Sequence, residues 1–269
     1  MKKITIIGDS YGCGEWMSKS APYANRNQFY FRDIIAGAAQ DYVETHPGLE
    51  YFLGVDGHAC LNISSGGSSN IHNLKKLSSS LMIDHPRHEE CRFLNPDYII
   101  WFFTEPLRDL SMYTDGKRHH NLNEELPVIR ERLDKCNYNL NKLNDELIRM
   151  SFEMAQKIYD NVGVPFILVE SLGNTKKYEE DYTFCKHKID NWVGKMVNYE
   201  VPTLVSSRIF EVMNKEYLDR FDHNEIMVML GEAGKFHDIL RGREDFPDGG
   251  HPNRDQHHKL YEVVKNLIQ

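Results

Sequence analysis

The sequence predicts an α/β protein built on a mostly parallel sheet. Three observations carry that prediction. Short apolar runs such as Tyr98–Phe103 and Phe166–Val169 lack the alternation of a half-solvated strand, and strands buried on both faces read this way. Longer stretches between them carry helical spacing, and alternating strands and helices fold as a parallel sheet with helical crossovers. The chain has 269 residues, enough to bury a large core without disulfide staples.

Taken in order, Lys3–Ile7 is the first strand, ending abruptly in Gly8-Asp9-Ser10. A helix is expected over about Gln28–Glu44, and a strand within Tyr51–Ile63. Asn70–Met82 is the next helix, and Asn95-Pro96-Asp97 leads into the strand Tyr98–Phe103. A long helix is expected over Val128–Asn161, where Leu133, Leu140, Leu143, Leu147, Met150, Met154 and Ile158 form one apolar stripe. Such a stripe packs on a sheet more often than it forms a dimer seam, though a homo-oligomer stays open. Phe166–Val169 and Thr203–Val205 follow prolines and read as strands; Lys188–Val197 and Asp255–Ile268 read as helices. The segments 84–95, 109–127, 171–187 and 219–247 are polar, without sustained periodicity, and are expected to be loops or insertions. No repeat or linker divides the chain, so one domain with insertions is expected.

Net charge is −8, and no basic run exceeds a dipeptide such as Lys75-Lys76. A nucleic-acid partner would need a concentrated basic surface. No stretch approaches the roughly 20 apolar residues of a membrane span. Five scattered cysteines without a CxxC, and a head too short in apolar residues for a secretory leader, point to a reducing, cytoplasmic home.

The chemistry is expected at the two ends. Ser10 follows the first strand, where open α/β sheets place ligands. Near the other end stands Phe246-Pro247-Asp248-Gly249-Gly250-His251-Pro252-Asn253. An Asp three residues before a His can reach its imidazole across a tight turn, fix the tautomer and stabilise the imidazolium. The other ring nitrogen can then take a proton from a hydroxyl. A lone serine is a weak nucleophile and lacks such a base.

These residues resemble the SGNH, or GDSL-type, hydrolases. The resemblance rests on Gly8-Asp9-Ser10 after the first strand, with Tyr11 in place of the usual leucine, and on Asp248-x-x-His251 before the terminal helix. A glycine after the second strand is supplied by Gly66 or Gly67, with Gly67 preferred because it precedes the polar start of a helix. The third block departs: Thr104-Glu105-Pro106-Leu107-Arg108 stands where the family carries Gly-x-Asn-Asp, and Glu105 occupies the place of the Asn. An ionised carboxylate cannot donate to an oxyanion, and losing one such donor costs about 10²–10³ in rate. Thr104, Arg108 or Asn70 could donate instead, or Glu105 and Arg108 could pair with each other.

The resemblance implies a three-layer, flavodoxin-like α/β/α sandwich. It also implies a serine esterase acting on a small or carbohydrate-borne ester without metal or cofactor. Ser10 would be the nucleophile, His251 the base and Asp248 its orienter. The amides of Ser10 and Gly67 would hold the oxyanion. A binding module for a sugar or anion and an acyltransferase are the alternatives.

Other motifs read less sharply. Gly8-x-Ser10-x-Gly12 fits a nucleophile elbow, but that turn needs earlier strands. Gly12-Cys13-Gly14 is half a dinucleotide fingerprint without its third glycine, and is expected to form a flexible rim. Trp16 would line that rim or be buried; Cys13 is a packed or rim thiol; Asp9 accepts backbone N–H groups in the turn. His85-x-x-His88-x-x-Cys91 matches no zinc spacing. His119-His120 and His257-His258 are expected on the surface.

Overall fold

The computed structural model describes residues 1–18, 42–81, 95–111, 113–114, 117–118, 131, 134–135, 139–173, 175, 182–202, 221–247 and 250–268. Among these residues, five strands form the central sheet. With strand and helix labels running along the chain, they are β1 (Lys3–Ile7), β4 (Ala59–Asn62), β5 (Tyr98–Phe103), β8 (Phe166–Glu170) and β9 (Cys185–Ile189). Their order is β4-β1-β5-β8-β9, and every pairing is parallel. Counted within the sheet alone this is 2-1-3-4-5, a doubly wound order whose ligand crevice lies at the carboxyl ends of the strands beside the switch in direction.

Side-chain alternation explains the three layers. Tyr98, Ile100 and Phe102 of β5 face one way, with Ile4, Ile6, Ile167 and Val169. They pack against α2 (Leu49–Val55), α5 (Trp192–Val197), α6 (His223–Leu240) and α7 (Arg254–Leu267) through Leu53, Val193, Phe236 and Val264. Ile99, Trp101 and Phe103 face the other way. They meet Leu74 and Leu77 of α3 (Asn70–Leu81) and Ile148, Phe152 and Ala155 of α4 (Leu140–Val162). A β5 residue on either face is therefore core, and a Phe→Ala change in such a position costs about 3–5 kcal/mol. Of the apolar stripe expected there, Ile158 and Met154 pack in this sheet-facing cluster.

Several expected elements differ. Residues 42–44, given to a helix, lie in strand β3 (Tyr42–His46), which pairs antiparallel with β2 (Glu15–Ser18); 28–41 lie outside the described residues. The expected long helix is interrupted before Leu140. Residues 131, 134 and 135 are helical, but Asn139 is extended and its side chain accepts from Lys142 N–H to cap the helix Leu140–Val162; 128–130, 132–133 and 136–138 lie outside the described residues. Residues 188–189 end strand β9, and the helix behind them starts at Trp192 after Asn191 takes a left-handed conformation.

Three of the expected loops hold regular structure. The 171–187 segment contains the start of β9, whose mixed composition hid the strand. The 219–247 segment contains α6, capped by Asp222 and buried only along Met229, Ala233, Phe236 and Leu240; that stripe is too narrow to stand out in so polar a sequence. A 3₁₀ turn over Pro106–Ser111 runs into 109–127, where a short hairpin of β6 (Tyr113–Thr114) and β7 (Lys117–Arg118) follows. The strand expected at 203–205 and the insertion 84–94 lie outside the described residues. Among the described residues, no helix is long and apolar enough to cross a membrane, and Cys13, Cys60 and Cys185 are free thiols.

Candidate active site

The end of β1 runs straight into a single helical turn, α1 (Ser10–Cys13). Asp9 caps it, its Oδ1 accepting from Tyr11 N–H at 3.0 Å. Gly12 N–H returns to the Asp9 carbonyl. The Ser10 amide has no acceptor within the turn, as expected of a first helical N–H. The turn is pressed into its neighbours. A Cβ on Gly8 would come within 2.7 Å of Phe102 Cβ, and one on Gly12 within 2.6 Å of Ser64 Oγ. The Gly12–Gly14 stretch is therefore packed structure, and Cys13 is buried; the expected flexible rim is not there.

His251 meets Ser10. Its Nε2 lies 2.6 Å from Ser10 Oγ, across 241 residues of chain. The imidazole sits against two rings, with centroids 5.0 Å from Tyr11 and 5.8 Å from Trp16. Trp16 is buried, and its Nε1 donates to the Ser10 carbonyl at 2.8 Å. The Tyr11 hydroxyl donates to the Gly250 carbonyl, next to His251. Asp248 and Gly249 lie outside the described residues.

The segment after His251 is anchored by Glu15. One carboxylate oxygen accepts Arg254 N–H at 2.7 Å. The other accepts from the Arg254 guanidinium at 3.2 Å and from Thr45 Oγ1 at 2.8 Å. Burial alone would raise this carboxyl, but the bonds from Arg254 and Thr45 prevail and hold it below the usual range. Asn253 caps α7 through Gln256 N–H.

The glycine block forms a tight turn. Ser68 N–H donates to the Ser65 carbonyl at 3.1 Å, and Gly67 has φ +73°. A positive φ at that place in a turn favours glycine. Ser65 N–H donates to the Gly8 carbonyl, so the turn lies beside the Ser10 segment. Gly66 is exposed, and a Cβ there would meet Trp16 Cη2 at 3.7 Å.

The third block is closed upon itself. Thr104 Oγ1 donates to Asp9 Oδ2 at 2.7 Å. Arg108 Nη1 donates to the same oxygen at 2.9 Å, and its Nε lies 3.7 Å from Glu105. Glu105 is buried with its carboxyl group facing Arg108, so the pairing weighed from sequence is present. Asn70 clamps the Thr104 backbone, Nδ2 donating to the carbonyl at 2.9 Å and Oδ1 accepting the N–H at 3.0 Å. One hydrogen of that amide remains outside the clamp.

Beneath the turn, Asp109 accepts Ile71 N–H at the start of α3, and burial pushes its carboxyl up to about 7. His257, expected on the surface, is fully buried beside Gly48 and Trp192, because the first turn of α7 lies against the head of the chain. Burial holds it down at about 4. His258 is half exposed. The 85–91 and 119–120 histidines lie outside the described residues, and among the described residues no cluster of three metal-ligating side chains occurs. Sequence reasoning passed over Glu15, whose only signal was its place between Gly14 and Trp16.

No protein-family model and no curated protein matches the sequence. Solved structures similar over their length include TesA, with 13% identity and a TM-score of 0.38, covering 100% of this chain and 98% of that one. The psychrotrophic esterase EstA from Pseudoalteromonas sp. has 11% identity and a TM-score of 0.38, with 100% and 99% covered. A carbohydrate esterase family 2 enzyme with a carbohydrate-binding domain, from Myceliophthora fergusii, has 12% identity and a TM-score of 0.41; the match covers 99% of this chain and 65% of that one. Likeness of this size says nothing about chemistry, which is argued from the side chains.

Proposed function

We propose that this chain is a single-domain serine ester hydrolase of SGNH type. The observation that carries the reading is the 2.6 Å contact between Ser10 Oγ and His251 Nε2, at the strand ends where such sheets bind ligands. His251 takes the Ser10 proton as Oγ attacks the ester carbonyl carbon. The backbone N–H groups of Ser10 and Gly67 face the oxyanion that forms. His251 returns the proton to the leaving alcohol, and Ser10 keeps the acyl group. A water molecule, deprotonated by His251, then attacks that ester and frees Ser10. Asp248 is assigned the orienting role from its place three residues before His251.

With Glu105 in the family's Asn position, the second hydrogen of Asn70 Nδ2 is the side-chain donor this reading assigns to the oxyanion. Thr104 and Arg108 are committed to Asp9, which weighs against an anion-gripping module built on Arg108. A small or carbohydrate-borne acyl ester is the substrate class, with transfer to an alcohol as the competing fate of the acyl group.

The test is para-nitrophenyl acetate hydrolysis together with labelling by a fluorophosphonate probe. Wild-type protein hydrolyses the ester and takes the label on Ser10. Ser10→Ala loses the label and at least about 10³ of the rate. Hydrolysis and labelling that persist in Ser10→Ala would move the chemistry elsewhere.

A further inference from the structure

The donor turn at 65–68 is tied at both ends to α3. At its exit, Ser68 Oγ bonds Asn73 Oδ1 at 2.7 Å. At its entrance, Lys76 reaches back along the helix. Its Nζ donates to Ser65 Oγ at 2.6 Å and to the Ile63 carbonyl at 3.4 Å. Ser65 N–H in turn bonds the carbonyl of Gly8, two residues before Ser10. A chain of direct bonds therefore runs from Lys76 through Ser65 to the residues around the nucleophile.

An exposed lysine would be a weak strut, since a flexible stem loses entropy when held. Lys76 is half-buried. Burial lowers its readiness to carry a proton, opposed by the influence of the buried Cys13, three residues beyond Ser10. A side chain held there has two acceptors within reach, Ser65 Oγ and the Ile63 carbonyl.

We propose that Lys76 is a positioning residue for ester hydrolysis, fixing through Ser65 the turn that aims the Gly67 N–H at the oxyanion. This rests on the esterase reading above and adds to it a residue that touches no substrate. Preorganised donors contribute through their aim, because they need not reorganise as charge develops. Loosening the turn therefore lowers kcat and leaves substrate binding nearly unchanged.

The test compares wild type, Ser65→Ala, Lys76→Met and the double variant. The readouts are kcat and KM on para-nitrophenyl acetate, thermal unfolding, and backbone hydrogen exchange in the 63–69 segment. Lys76→Met is expected to lower kcat about 10- to 50-fold with KM within about threefold. Ser65→Ala should lower kcat less, about 3- to 10-fold, and the double variant should be no worse than Lys76→Met. Exchange in 63–69 should quicken in both single variants. Lys76→Arg, which keeps a cation with several donors, should recover part of the loss.

A folded Lys76→Met enzyme with kcat within about twofold of wild type, or losses that multiply in the double variant, overturns the role. If Lys76→Met does not fold, Ser65→Ala decides alone: lowered kcat at constant KM supports the role, and wild-type kcat overturns it. A wild-type protein that neither hydrolyses the ester nor takes the fluorophosphonate overturns the esterase reading and this role with it. A working enzyme indifferent to residue 76 overturns this role only.

Discussion

Ser10 and His251 reach their contact by different means. Ser10 stands on a turn that the sheet and its own neighbours hold. Asp9 caps the turn and is itself gripped by Thr104 and Arg108, and Gly8 lies flat against Phe102. His251 leaves an irregular segment and rests on groups that the head of the chain supplies. These are the Tyr11 hydroxyl on Gly250, the Trp16 ring, and Glu15 on Arg254. The nucleophile is fixed by the core, and the base is braced by groups of the nucleophile's own segment. A defect in the head should therefore reach both partners, whereas a defect in the tail should spare Ser10.

The largest effect should come from Asp9. Removing its carboxylate takes the acceptor from Tyr11 N–H, from Thr104 Oγ1 and from the Arg108 guanidinium. Breaking a buried ion pair by deleting one member costs roughly 3–5 kcal/mol. Asp9→Ala should lose about that much in denaturant unfolding, and Asp9→Asn, which keeps an oxygen for the Tyr11 cap, distinctly less. A loss under about 1 kcal/mol in Asp9→Ala would break the contrast, since the head would then be no more firmly held than the tail.

The tail should instead betray itself by pH. His257 on the first turn of α7 is buried, and its proton affinity falls from 6.5 to about 4. A base whose folded value is depressed stabilises fully above its unfolded value. That contribution is lost as the pH falls from about 6.5 towards 4, because the unfolded chain takes a proton the fold refuses. At 1.36 kcal/mol per pH unit the loss reaches about 3 kcal/mol. His257→Leu should flatten that part of the acid side of the stability curve, measured by urea unfolding at several pH values. An unchanged slope would mean that His257 is protonated in the fold.

How much of this could be read from the sequence follows the same division. The strands β1, β5 and β8 are legible because both faces are buried, leaving unbroken apolar runs. The meeting of Ser10 with His251 could be expected from residue type and order alone. What could not be read depends on partners far away in the chain. α6 shows only four buried residues in eighteen, and β9, at the end of the described sheet, is of mixed polarity. The closure of the third block depends on Asp9 lying 95 and 99 residues from Thr104 and Arg108. His257 looked like surface because nothing local to it announces that Gly48 and Trp192 will cover it.

The smallest effect concerns the two glycines of the turn, of which the sequence favours Gly67 for its place before a helix. Gly67 holds a φ of +73°, where an L side chain is strained by roughly 1–2 kcal/mol. Gly66 is exposed, and a methyl there would meet only the edge of Trp16 at 3.7 Å, an ordinary contact. Gly67→Ala should therefore cost about 1 kcal/mol in stability and lower kcat as the turn shifts its N–H, while Gly66→Ala should stay within about 0.5 kcal/mol of wild type. The turn is bonded to Gly8 and belongs with the head, so its disturbance should also slow fluorophosphonate labelling of Ser10. Equal behaviour of the two variants would mean that the turn is not aimed by its backbone, and that the oxyanion finds its donors elsewhere.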